Sequence, residues 1–398
     1  MDSSVFARVE TVLQTMGAKA AIEKLCAELR DQKDYHNLFY ALLMKKRHEL
    51  GVSPIPTGPA QDLPEEVHSA YEEGIRQAGR EVGELYLQQG DISRAWNFFR
   101  MLGEPERLRA ALEAHQVGED EDISELVQIA FYEGVHPTRG FDWILDHFGI
   151  CSAITTLGGQ ELPFPEEVRQ HCLHRVVRAL YAELSERLAA DIERVEGKVP
   201  EQVQGPLDRP GLVRELMKGR DWLFAEEDCY HIDVSHLSSV VQMSVHLQPG
   251  LELGLARELC EYGQRLPARF HNQSDPPFED FYRAHGFYLS VLDGYEVEQG
   301  LDFFRAEAER ADPEEVGTLP AEVLVNLLLR LGREQEALSV ASRYLQNEQS
   351  RPLLCPGITE LCRNAGDYQT LAAISRERGD PVHFLAGLLA SQPTNTSS

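Results

Sequence analysis

Gly332 and Gly366 stand 34 residues apart, and each closes one apolar helical stretch and opens another. Such a unit is a pair of helices joined by a turn. It cannot bury its apolar face alone, so a chain that repeats it must stack the copies against one another. The repetition extends to detail. Gly90 and Gly366 are each followed, thirteen residues on, by a second glycine, an acid and a proline: Gly103-Glu104-Pro105 and Gly379-Asp380-Pro381. Apolar residues recur at three-to-four spacing from end to end, as in Val5 to Leu13, Ala20 to Leu29 and Leu38 to Leu50. No region shows sustained strand-type alternation, so the expected fold is all-α.

The stretch AGREVGELYLQQGDISRAWNFFRMLGEP (78–105) places Gly83, Tyr86, Gly90, Ala95 and Phe99 at the spacing of a helix–turn–helix repeat. Small residues let two helices approach closely, aromatics fill the space between them, and a glycine ends the first helix. Val325, Leu328, Gly332, Ala337 and Ala341 repeat the logic in 323–345, and Gly300 with Phe304 is a looser version. The unit around Gly366 has Leu371 at the alanine position and lacks the first-helix aromatic.

These motifs resemble the tetratricopeptide repeat. The resemblance implies a right-handed stack of helical hairpins, an α-α superhelix with a long-helix middle section. It also implies a concave groove lined by the first helix of each pair, which in that family binds peptides or partner proteins. The groove positions it carries over are Gln77, Arg80, Glu84 and Leu87 in the first repeat and Glu322, Asn326, Leu329 and Arg330 near the C-terminus. Asn326 stands where carboxylate-clamping members of the family place an asparagine. The lysine they place four residues earlier is Glu322 here.

Breaks in periodicity divide the chain. A helical segment (1–51) precedes a proline-rich linker (52–64), then tetratricopeptide-like hairpins (65–115) and a helical middle section (116–197). A proline- and glycine-rich linker (198–211), a helical section with a histidine cluster (212–283), tetratricopeptide-like repeats (284–390) and a disordered tail (391–398) follow. Within 162–197 the apolar stripe Leu173, Val177, Leu180, Leu184, Leu188 and Ile192 predicts one helix of about 30 residues, roughly 45 Å long. Pro165 reads as its first-turn proline, with Glu166 and Glu167 on the positive end of the dipole.

Composition narrows the function classes. A net charge of −27 repels phosphate backbones and anionic lipid, so neither nucleic acid nor a bare membrane is an expected partner. No window reaches the apolar length of a membrane span, and MDSSVFARVE does not read as a signal peptide. The seven cysteines are scattered and show no C-x-x-C pair, which fits buried thiols in a reducing cytoplasm.

Two histidine clusters raise the question of a metal. In Tyr230–Leu247, Asp233 or Ser235 suits the N-cap of a helix whose buried face is Val234, Leu237, Val241 and Val245, turning His236 and His246 away from it. The second cluster is His171-x-x-His174, without the glutamate and i, i+4 spacing of a metalloprotease helix. Only if the clusters converged would His171, His174, His231, Asp233 and His236 form a ligand set for a metal-binding protein or metal-dependent enzyme. Signatures of hydrolases, phosphate loops, dinucleotide folds and kinases are missing. The aromatic groups Trp96–Phe99 and Phe278–Tyr282 read as inter-helix packing, with one or two rings free to line a groove. The expected function is a non-enzymatic interaction scaffold or adaptor with no cofactor and a protein or peptide partner. A ligand- or peptide-sensing regulator is the other alternative.

Overall fold

The computed structural model describes residues 3–55, 63–118, 120–159, 163–225, 230–312, 316–345 and 353–392. Residues 56–62 of the proline-rich linker, Leu162 ahead of the long helix, Cys229, and residues 393–398 of the tail lie outside the described residues. The regular elements are all helical, and no strand occurs among the described residues. None of the described helices is long and apolar enough to cross a membrane.

The chain forms two compact units, one through His147 and one from Phe148. That division falls inside 116–197, grouped above as one section. The first unit holds α1 (Ser3–Met16), α2 (Ala18–Asp31), α3 (Tyr35–Glu49), α4 (Glu65–Gln88), α5 (Ile92–Leu102), α6 (Glu106–Ala114) and α7 (Ser124–Val127), which runs into a π-helical turn, Gln128–Tyr132. Consecutive helices from α1 to α6 pack on one another. The helix α8 (Pro137–Gly158) carries a non-helical residue, Gly149.

One turn design recurs, and its hydrogen bonds explain it. After α4 the chain turns through Gly90 at φ 78°. The Asp91 N–H reaches back to the Tyr86 carbonyl (3.0 Å), and the Asp91 carboxylate accepts from the Arg94 N–H at the start of α5. One residue in the left-handed conformation thus closes a helix, and the next caps its successor. Gly366-Asp367 does the same, with Asp367 N–H on the Cys362 carbonyl (2.9 Å). So does the α2–α3 turn, where Lys33 takes the left-handed position at φ 57° and Asp34 caps α3.

The second unit begins its long run with α9 (Glu166–Glu196), 31 residues whose stripe Leu173, Val177, Leu180, Leu184, Leu188 and Ile192 is buried as expected. Pro165 is the N-cap and not a first-turn residue. α10 (Leu212–Met217), α11 (Val234–Met243) and α12 (Leu251–Arg265) all pack on α9. Then α13 (Phe281–Leu292), α14 (Val297–Arg310), α15 (Leu319–Arg330), α16 (Glu334–Tyr344), α17 (Ile358–Ala365), α18 (Tyr368–Glu377) and α19 (Pro381–Ala390) pack each on the next. In addition α13 packs on α15, so the first helices of two successive pairs lie side by side. The 198–211 segment belongs to this unit: Glu201–Val203 forms a 3-10 turn, and the Gly211 N–H is held by Glu258 of α12. Cys26, Cys172, Cys260, Cys355 and Cys362 are buried and Cys151 is exposed.

Candidate functional site

The side-by-side packing of α13 and α15 opens a cavity of about 690 Å³ in the second unit. Phe281, His285 and Tyr288 come from one face of α13, at the i, i+4 and i+7 spacing that aligns side chains along a helix. Val323, Asn326 and Arg330 come from the matching face of α15. Phe278 enters from the preceding loop, and Val245 and His246 from the 3-10 turn Ser244–His246 that ends α11. Leu354 overhangs from the segment after α16.

Polar side chains on α15 hold the walls. Glu322 and Asn326 are one turn apart and grip both backbone groups of Leu354. The Leu354 N–H donates to Glu322 Oε2 (2.8 Å), and Asn326 Nδ2 donates to the Leu354 carbonyl (2.7 Å). The Thr318 hydroxyl donates to the other Glu322 oxygen (2.7 Å), so a fully buried carboxylate has both oxygens occupied. Arg330 donates from its two terminal nitrogens to the carbonyls of Val245 and Leu247, which fixes the end of α11 against α15. It also lies beside the Tyr288 hydroxyl.

His285 is the least expected member. It is 3% exposed, with ring centroids 4.3 Å from both Phe278 and Phe281. Its Nδ1 lies 2.8 Å from the Phe281 carbonyl, so Nδ1 carries the proton and donates. Its Nε2 therefore presents a lone pair on a residue that lines the cavity. Burial pushes the imidazole down to about 4, against the Phe281 hydrogen bond, which raises it. No family model, curated protein or solved structure matches the chain.

Two of the eight groove positions carried over by resemblance, Asn326 and Arg330, line this cavity. Glu322 does not present itself to a groove: it is fully buried and spent on Thr318 and Leu354. Leu329 is half-buried outside the lining. The other four lie on α4 in the first unit. There Arg80 donates to Glu104 (2.6 Å), Arg107 donates to Glu104 (2.6 Å) and to Glu84 (2.8 Å), and exposed Gln77 donates to Glu73. The charges of Arg80 and Glu84 thus close a surface network with the turn after α5, and Leu87 is half-buried. The hydrogen bond to Arg80 is the main reason that the Glu104 carboxyl is held below its usual range.

The metal-ligand candidates separate. His174 Nε2 lies 3.8 Å from Glu252. His231 approaches Asp191 (3.3 Å) and places both its backbone N–H and its Nδ1 on the Tyr262 hydroxyl. Asp191 stands 17 residues beyond His174 on α9, about 25 Å along the helix. Asp233 is the N-cap of α11, accepting from the N–H groups of Ser235 and His236. His171 and His236 are half-buried on α9 and α11. Among the described residues no three His, Cys, Asp or Glu side chains are grouped so as to hold a metal ion.

The buried imidazole makes a pH prediction. Between the ordinary histidine value near 6.5 and its own value of about 4, the unfolded chain takes up a proton at this site and the folded chain does not. Stability is therefore lost as pH falls through that window, by about 3 kcal/mol in total for this residue. His285→Phe keeps the ring stack without the proton site. Urea unfolding of both proteins from about pH 7 to pH 4 should show the wild-type advantage over the variant shrinking by about that amount. Parallel curves would mean that His285 is not a buried neutral group in the folded chain.

Proposed function

We propose that the protein is a non-enzymatic interaction scaffold whose second unit takes a segment of a partner protein on the face shared by α13 and α15. The observation that supports this most is the grip on Leu354: two side chains one turn apart on a first helix hold the N–H and the C=O of one residue in the segment after α16. That is how a helical groove reads a peptide backbone, here applied to the chain's own segment. The aromatic cavity beside it offers a place for a side chain. The resemblance of the repeats to tetratricopeptide hairpins supports the same reading, since in that family first helices line the partner groove. A cytoplasmic protein partner fits the acidic surface and the reduced cysteines.

Site-specific photo-crosslinking tests this. A photoreactive residue replaces Gln242, an exposed member of the cavity rim, and in a second protein it replaces Glu186, exposed on α9. In source cells Gln242 should yield discrete crosslinked partners and Glu186 should not. Val323→Trp, which fills the cavity from α15, should remove them. Equal crosslinking from both positions, or products indifferent to Val323→Trp, would overturn the scaffold reading for this face.

A further inference from the structure

We propose that the α13–α15 cavity receives one aromatic side chain with a hydrogen-bond donor, tyrosine or tryptophan, from the partner segment, and that its O–H or N–H is given to His285 Nε2. This rests on the scaffold reading above and adds the chemistry of the anchor.

The residues of the lining set that chemistry. Phe278, Phe281 and Tyr288 offer ring faces and edges, and Val245, Leu319 and Val323 complete an apolar lining. A planar ring gains most from such walls, through offset and edge-to-face contact. His285 decides what the ring must carry. With Nδ1 committed to the Phe281 carbonyl, Nε2 can only accept. A ring seated in the cavity cuts this acceptor off from water, which is costly unless the ligand itself donates to it. The side chains that combine a large ring with a donor are tyrosine and tryptophan, whereas phenylalanine would leave Nε2 bare.

A lysine or arginine anchor would also donate, but the surroundings oppose it. The Arg330 guanidinium lies beside Tyr288 on the cavity wall. Among the described residues the one carboxylate of the lining is that of Asp275, an exposed residue. A cation on His285 would be stripped of water among rings, with no counter-charge at its side among the described residues. The volume of about 690 Å³ holds one such side chain together with its neighbouring residues, within the range of ordinary ligand pockets.

A random-peptide display library selected on the full-length protein tests this. Selected peptides should share a tyrosine or tryptophan. Replacing it by phenylalanine in the synthetic peptide should weaken binding to the wild-type protein tenfold or more. On His285→Phe the two peptides should bind alike, with helicity and melting used to confirm that this variant is folded. The wild-type comparison needs no variant, so the proposal stays testable if His285→Phe does not fold. Selected peptides that lack tyrosine and tryptophan, that bind equally with phenylalanine, or that prefer lysine there would overturn the inference. If Val323→Trp still abolishes their binding, the scaffold reading survives without it. Peptides indifferent to Val323→Trp, or a failure to select any peptide, would sink both.

Discussion

Glu258→Leu is expected to lower the unfolding free energy by about 3–5 kcal/mol, the cost of removing one member of a buried polar network. Glu258 sits on α12 with no exposed surface. It accepts from the Tyr181 hydroxyl (2.6 Å) on α9, from the Gly211 N–H (2.5 Å) and from the Arg214 N–H (3.4 Å). Tyr181 in turn accepts from the Val213 N–H (3.0 Å). A helix as short as α10, Leu212–Met217, leaves most of its first N–H groups without internal partners. One carboxylate and one phenol satisfy three of them, and they bind the end of the proline-rich stretch to two long helices. Leucine would leave Tyr181 and two backbone N–H groups dry and unmet. Glu261→Leu is the control. Glu261 pairs with Arg214 at 2.6 Å, but both side chains are about two-fifths exposed, so its loss should cost under about 1 kcal/mol. Urea unfolding measures both, and trypsin should cut more readily after Lys198 in Glu258→Leu alone. Equal costs would show that α10 is held by Leu212, Val213 and Leu216 without the network.

What the sequence disclosed divides along a physical line. Local signals were legible. The stripe on α9, the Asp233 cap and the turn glycines depend on residues within a turn or two of each other, and each stands where expected. The α2–α3 turn escaped because Lys33 occupies the glycine position, and only the capping Asp34 marked it. The site was much less legible. Glu322 looks like a surface acid until Leu354, 32 residues later, folds onto it. Arg80 looks like a free cation until Glu104 arrives from the next turn. His285 belongs to no motif. Its role follows from a ring stacked on Phe278 with Phe281 tilted against it, and a backbone bond one turn back, which no spacing rule singles out. The aromatic group Phe278–Tyr282 was the one available hint, and two of its rings, Phe278 and Phe281, line the cavity.

The helix–turn–helix motif itself can be tested at its tightest point, where the sign of the effect is diagnostic. Gly83 lies inside α4, and a Cβ added there would stand 2.7 Å from Cζ and 2.8 Å from Cε2 of Phe99, a ring with no exposed surface on α5. Alanine is the better helix former by about 1 kcal/mol, so on propensity alone Gly83→Ala should stabilise. Gly254, in α12 with nothing within 4 Å of its absent Cβ, should show that gain. At Gly83 the overlap with a trapped ring should win, for a net loss of about 2 kcal/mol. The clashing atoms are the far edge of the ring, which leucine lacks. Phe99→Leu should therefore cost less in the Gly83→Ala background than in the wild type, with a coupling of at least about 1 kcal/mol in a double-mutant cycle. Thermal and urea unfolding of the full chain would measure all four members. Strict additivity, or a stabilised Gly83→Ala, would mean that α4 and α5 do not meet through this glycine and this ring. The spacing of Gly83, Ala95 and Phe99 would then say nothing about why the helices pair.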